Sequence, residues 1–359
     1  MDKNRYCIIM AGGIGSRFWP VSRTNRPKQF LDILGTGKTF IRQTYERFRP
    51  IIPAENFLVV THASYKSLVQ AEIPELADEQ ILLEPVGRNT APCIAYAAYK
   101  LKMKNPEASM VVTPSDHLVT DQHEFEKVIG EGLDFAEKHH MLVTIGISPN
   151  RPETGYGYIQ IDTQDQIGPL NRVKTFTEKP TRDVAKMFLE SGEFFWNSGI
   201  FVWRVEDIVK EFYQYLPELN QLFSSVLQDY NTPNERAAIE TIYPECRNVS
   251  IDYGIMEKAE NVYVRCADFG WSDVGTWNSL YDHSPKDANG NAVAGEVVVY
   301  DTKNSIVRIP DGKLGVVQGL DDCIVVNTED VLMICRRDEE QNIRRFVEDL
   351  RQKKNNGFI

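Results

Sequence analysis

The chain has 359 residues, 42 % of them hydrophobic and 25 % charged, with a formal net charge of −11. That length accommodates two domains with a sizeable core, and the acidic balance excludes nucleic acid as a partner, because a phosphate backbone requires broad positive charge. No apolar run approaches the roughly eighteen residues of a membrane span, and no signal-like segment precedes the first strand, so the expectation is a cytoplasmic protein with no membrane contact. Six cysteines without a C-x-x-C pair argue for reduced, buried thiols and against a zinc site or disulfide frame.

Tyr6–Met10 is apolar without alternation, which predicts a strand buried on both faces. The turn-rich segment after it carries Gly12, Gly13 and Gly15, then Arg17, Arg23, Arg26 and Lys28. Glycines that take positive φ let backbone N–H groups close around a phosphate, and the cations add charge. Two common phosphate motifs are excluded: G-x-G-x-x-G would need a glycine at Phe18, and the Walker pattern near Gly35–Thr39 would need one at Asp32. Glycines alone suit an ordinary strand-to-helix turn equally well. The cations favour an anion site, although Arg23 and Arg26 are also explained as ion pairs with the acidic surface.

Apolar spacing predicts a helix over 39–49, a strand over 57–60, a helix and turn over 68–77, and a strand over 81–83 that delivers Glu84. A helix capped by Asn89 or Thr90, with Pro92 in its first turn, runs to Lys104. A strand over 110–113 leads to Pro114-Ser115-Asp116-His117. This alternation means an α/β domain with a mostly parallel sheet. Ligands of such sheets bind at the carboxyl ends of the strands, so the glycine loop, Glu84 and Asp116 should converge.

Further strands are expected over 142–147, 173–176 and 262–266, with a glycine and tyrosine loop over 152–159 entering another strand and a helix over 183–191. Phe194–Trp203 places Trp196 and Trp203 beside Asn197, which suits either a sugar site or an aromatic core. Residues 204–245 read as helical and peripheral, their acidic groups a solvated face. Asp116 and Asp273 follow separate strands and together suit a metal, while each alone suits a turn or cap. His117 reads as a local hydrogen-bonding residue and not as a base. Beyond Pro285, short strands over 296–300, 305–309, 314–317, 323–326 and 331–334 predict a small β-solenoid or sheet. A terminal helix with Ile343, Phe346, Val347 and Leu350 on one face should pack on it or on a partner subunit. Two domains are expected, 1–284 and 285–359.

In order over residues 11–277, the segments GGIGSRFWP…RPKQF, EPVGRNTAP, TPSDH, ETGYGYI, TEKP, WNSG and DFGWSDVGTW resemble the sugar-nucleotide pyrophosphorylases. Phe18-Trp19-Pro20, Lys28-Gln29-Phe30 and Asn89-Thr90-Ala91-Pro92 resemble the mannose-1-phosphate guanylyltransferase branch. The resemblance implies a Rossmann-like α/β nucleotidyltransferase domain followed by a β-helix-like domain that contributes to a homodimer. It implies a reaction in which GTP and α-D-mannose 1-phosphate give GDP-mannose and pyrophosphate with Mg²⁺, by in-line attack of the sugar phosphate on the α-phosphorus. Chemistry of this kind needs positioning and charge neutralisation above all.

By that resemblance Ala11, Gly12, Gly13 and Gly15 hold the nucleotide phosphates, Arg17 the departing pyrophosphate, and Lys28 the phosphate oxygens at the reacting centre. Asp116 and Asp273 correspond to metal ligands. Glu178 and Asn197 match contacts to sugar hydroxyls, Gly157 the close backbone approach to the sugar, and Lys179 the sugar phosphate. Glu84, with Asn89 and Thr90 nearby, is a candidate for base selection, since a carboxylate accepts from both N1–H and N2–H₂ of guanine whereas uracil and thymine present a carbonyl there. Its alternative is a surface residue before Pro85. Long members of the family add a cupin-like isomerase domain; with the chain ending at Ile359, isomerase activity is not expected. Rival readings are a pyrophosphorylase for another sugar phosphate or nucleotide, and a non-catalytic relative that binds a nucleotide sugar.

Overall fold

The computed structural model describes residues 2–13, 15–353 and 356–359. The described chain forms two units: Met1–Gly12 with Arg42–Ser115 and Val119–Trp271, and Gly13–Ile41 with Asp116–Leu118 and Ser272–Ile359.

The first unit is built on strands β1 (Arg5–Met10), β2 (Phe57–His62), β3 (Ile81–Glu84), β4 (Ser109–Pro114), β5 (Leu142–Ile147), β6 (Gly157–Ile167), β7 (Leu170–Glu178), β8 (Phe194–Arg204) and β9 (Val262–Ala267). Its helices are α1 (Phe40–Phe48), α2 (Lys66–Glu72), α3 (Thr90–Lys104), α4 (Gln122–His139), α5 (Arg182–Ser191), α6 (Val205–Tyr215), α7 (Pro217–Ser224) and α8 (Glu235–Ile242). The strands form one nine-stranded sheet in the order β3-β2-β1-β4-β8-β5-β9-β7-β6. The expected parallel arrangement occupies β3 to β4, whereas β8 runs antiparallel to both β4 and β5 and makes the sheet mixed.

Register sets the first candidate residues. Met10 lies opposite Val60 and Pro114, and His62 lies opposite Glu84, so the carboxyl ends of β1 and β4 are level, as are those of β2 and β3, with the two pairs offset by two residues. One core joins Ile8, Val60 and Val112 of the sheet to Ala95 and Ala98 of α3 and to Phe212, Phe223 and Tyr243. Residues 204–245 are therefore helical as expected but not peripheral: Phe212, Phe223 and Tyr243 are fully buried, because their apolar spacing lays one face against α3. Helix α4 has no counterpart in the reading of the sequence, although Phe125, Val128, Ile129 and Leu133 recur at helical spacing and are all buried.

The second unit contains α9 (Trp277–His283), β10 (Ala292–Ala294), β11 (Glu296–Tyr300), β12 (Ile306–Arg308), β13 (Leu314–Gln318), β14 (Cys323–Asn327), β15 (Leu332–Arg336) and α10 (Ile343–Gln352). Parallel ladders β10-β12-β14 and β11-β13 stack Ala292, Ile306 and Ile324 in one row, as a β-solenoid requires. That row shares a core with Phe18, Trp19, Trp277, Ile343 and Val347. The glycine-loop cations, the strand turns of the solenoid and the terminal helix therefore belong to one folding neighbourhood.

Candidate active site

Two antiparallel hydrogen bonds between Leu118 and Ser272, 2.8 and 3.1 Å, set Asp116 and Asp273 beside each other. Lys28 completes the arrangement: its Nζ donates to the Asp116 carbonyl at 3.0 Å, to Asp116 Oδ2 at 2.9 Å and to the Asp273 carbonyl at 2.7 Å. An ammonium has three donors, so in this state Lys28 acts on the two aspartates. It is only 2 % exposed, and its ammonium stands over the ring faces of Phe18 and Phe40, 5.6 and 4.9 Å from their centres. Burial acts to raise the Asp116 carboxyl, but the charge and hydrogen bond of Lys28 and the neighbouring His117 outweigh it and hold the group below the usual carboxylate range.

Gly15 is required by this packing. It sits in the left-handed region at φ 68°, and a β-carbon there would stand 2.5 Å from Lys28 Cβ. Of the three loop glycines able to take positive φ, Gly15 does so and Gly12 and Gly13 do not. Gly12 is needed for close approach, a β-carbon falling 3.0 Å from Glu84 Oε2, while Gly13 has no atom within 4 Å of that position and leaves the loop surface open. Ala11 is fully buried, its N–H donated to Val60 O and its carbonyl accepting from Thr61 Oγ1.

Gly15, Arg17, Lys28, Asp116, His117, Asp273 and Arg344 surround one cavity of about 210 Å³. Asp273 Oδ1 accepts from the Gly275 N–H at 2.8 Å, and a side chain at Gly275 would collide with Asp273 Oδ2. Val274 between them takes φ 40°, a costly conformation for a β-branched residue, held by a fully buried side chain. The donor set, two aspartates and no group of three or more ligating side chains among the described residues, fits a hard divalent cation that takes its remaining ligands from water and substrate. Arg23 instead pairs with Asp330 at 2.7 Å.

Glu84, at the end of β3, is 4 % exposed and so is not a surface residue. Tyr243 donates its hydroxyl to Oε1. Burial pushes the carboxyl up to about 7, against the lowering effect of that bond. Asn89 and Thr90 serve α3: the Asn89 side chain accepts the Thr90 N–H at 2.9 Å, and Thr90 Oγ1 accepts the Ile251 N–H at 2.9 Å.

The remaining candidates form a second group in the first unit. Gly157 on β6 lies opposite Glu178 on β7, and a β-carbon at Gly157 would stand 2.6 Å from Glu178 Oε2 and 3.5 Å from Asn197 Cβ. Asn197 is fixed twice, its amide donating to Asp252 Oδ1 at 2.7 Å and its oxygen accepting the Gly199 N–H at 3.1 Å. Lys179 is exposed, holds φ 47° and pairs with Glu178. Tyr156 meets Trp196 and Trp271 edge-on at 5.2 and 5.3 Å. Trp203 is fully buried against Phe201 and belongs to the core.

Residues 6–290 match the nucleotidyl transferase family model, and residues 295–350 match the mannose-phosphate isomerase/GMP-like β-helix domain. A mannose-1-phosphate guanylyltransferase of Escherichia coli is 36 % identical over 351 residues, covering 96 % of this chain and 75 % of that protein. The chain belongs to the mannose-1-phosphate guanylyltransferase branch of the nucleotidyl transferase family. The alginate biosynthesis protein AlgA of Pseudomonas aeruginosa is 38 % identical, covering 96 % of this chain and 71 % of its own. A Thermus thermophilus crystal structure described as a mannose-1-phosphate geranyltransferase superposes with a TM-score of 0.86 at 32 % identity, covering 97 % of this chain and 99 % of that one.

For a member of this guanylyltransferase branch, three residues escape a reading of the sequence. Tyr243 sits at the i+4 position from Ile239, an apolar spacing that signals burial but not a hydroxyl on Glu84. Asp252, which fixes Asn197, lies in a short π-helical turn, Asp252–Met256, without periodic signal. Arg344 adjoins the apolar stripe of α10, and only its place on the cavity marks it.

Proposed function

We propose that this chain transfers GMP from GTP to α-D-mannose 1-phosphate. An oxygen of the sugar phosphate attacks the α-phosphorus in line, the bond to the β-phosphate breaks, and pyrophosphate leaves with the electron pair. The incoming phosphate is already ionised, so no general base is needed. Mg²⁺, held by Asp116 and Asp273, supplies charge neutralisation on the phosphates when bound. Lys28 keeps both aspartates in place and adds positive charge, and Arg17 takes the departing pyrophosphate. Glu84 selects guanine, while Glu178, Asn197, Gly157 and Lys179 take the sugar phosphate. A cytoplasmic homodimer completes the proposal.

What carries the reading is the single cavity that gathers Arg17, Lys28, Asp116 and Asp273 in a member of this family. Such a centre can do little except position and neutralise phosphates. The test is pyrophosphate release by purified protein with Mg²⁺, mannose 1-phosphate and each nucleoside triphosphate in turn. Turnover with GTP is expected; turnover with UTP or dTTP alone overturns the guanylyl assignment, and silence with every triphosphate overturns the activity.

A further inference from the structure

We infer that Arg344, on the terminal helix α10, is a second phosphate-binding cation of the nucleotidyl-transfer centre and grips the pyrophosphate end of the nucleotide together with Arg17. The inference rests on the proposed reaction and adds a residue from the β-helix module to it. Residues 295–350 match that module, so Arg344 belongs to the part of the chain with the least evident link to chemistry.

Several observations place it there. Arg344 lines the same cavity of about 210 Å³ as Arg17, Lys28, Asp116 and Asp273. It is held on its helix by Ile343 and Val347, which are buried in one core with Phe18 and Trp19 from the loop that carries Arg17. Trp19 Nε1 also donates to the Phe358 carbonyl at 2.6 Å, tying the end of the chain to the same loop. The position of Arg344 is thus set by packing and not by its own charge.

The charges then decide the role. Lys28 has its three donors on Asp116 and Asp273. Arg17 Nε is buried with no hydrogen-bond partner. Partial desolvation of this exposed side chain, and then repulsion from Arg17, depress Arg344 from the usual arginine range, while Glu348 acts in the opposite direction. Two guanidiniums facing one cavity, one with an unsatisfied N–H, are relieved by an anion that accepts from both. A guanidinium presents a planar fork that matches phosphate oxygens two at a time, and pyrophosphate offers enough oxygens for two forks.

The test compares R344Q with R345Q, whose parent residue is exposed on the same helix and lies 4.0 Å from Asp349. Two quantities are read: KM for pyrophosphate in the reverse reaction on GDP-mannose with Mg²⁺, and the calorimetric Kd for inorganic pyrophosphate. Loss of one charge-assisted contact should raise both by about tenfold or more in R344Q, with partial recovery in R344K and values within about twofold of wild type in R345Q. Arg344 is exposed, so the substitutions leave no cavity and the melting temperature should hold. Unchanged KM and Kd in R344Q, or an equal loss in R345Q, overturns the inference. A wild type that turns over no nucleotide counts against the proposed reaction, and the pyrophosphate titration of wild type against R344Q still decides the role of Arg344.

Discussion

Replacing Glu84 with glutamine should stabilise the fold at alkaline pH while damaging base selection. The carboxyl is 4 % exposed and titrates near 7 in the folded chain against an ordinary value of 4.5, chiefly because it is buried. The folded state therefore binds a proton more tightly than the unfolded state. Stability is undiminished below about pH 4.5 and falls as pH rises through about 7, by about 3 kcal/mol once the buried group must ionise. Glutamine has nearly the same shape, still accepts from Tyr243 and never ionises. Urea unfolding at pH 5 and pH 8.5 should therefore show E84Q gaining on wild type by about 3 kcal/mol between the two conditions. The same change presents an NH₂ where guanine presents N–H donors, which should cost about two powers of ten in kcat/KM for GTP and shrink the preference over UTP. In wild type, KM for GTP should rise as pH falls below about 7, and in E84Q this dependence should vanish. An E84Q that gains nothing at pH 8.5 refutes the burial argument, and one that keeps its preference for GTP over UTP refutes the role in recognition.

The remaining predictions concern the second unit. Asp116→Asn and Asp273→Asn should each lower turnover by two to three powers of ten, about 3–4 kcal/mol of barrier, with an unchanged circular dichroism spectrum; near-normal pyrophosphate release in either removes the metal assignment. Gly15→Ala should lose about 2 kcal/mol or more, because the left-handed backbone and the approach to Lys28 both resist a β-carbon, whereas Gly13→Ala, with open space around it, should melt as wild type does. On the solenoid, Val298, Val316 and Leu314 leave an apolar ladder exposed, with Val316 64 % and Leu314 65 % accessible and Val298 directly opposite Val316. If this face joins two copies, Val316→Asp should convert a dimer to a monomer by light scattering; a dimer that persists places the interface elsewhere.

How much of this was legible in the residues depends on the range over which each signal acts. Local signals carried well: the cap at Asn89, the parallel strands ending at Met10, Glu84 and Pro114, and the stripe of Ile343 and Val347 all depend on spacing within a few residues. The passage from 204 to 245 misled because its exposed acidic face is conspicuous in composition, while its buried face shows only in periodicity. The setting of Glu84 was half legible. Its place at a strand end follows from pattern, but its burial beneath Tyr243 depends on a residue far along the chain, and that burial sets its proton affinity.

The centre around Lys28 shows the same limit more sharply. The sequence names a lysine, two aspartates and a glycine in four separate places, and motif resemblance gives the lysine to phosphate. The fold gives its three donors to the aspartates first. A buried ammonium must keep its acceptors unless better ones arrive, so Lys28 fixes the two turns that carry Asp116 and Asp273, through one carboxylate oxygen and two main-chain carbonyls. Arg17 carries no such prior engagement at Nε, and neither pattern nor spacing reveals that difference. It follows that removing Lys28 should disturb the aspartates before it disturbs the nucleotide. Lys28→Met should therefore weaken divalent-cation binding, read by calorimetry without nucleotide, and an unchanged cation affinity would assign Lys28 to phosphate alone.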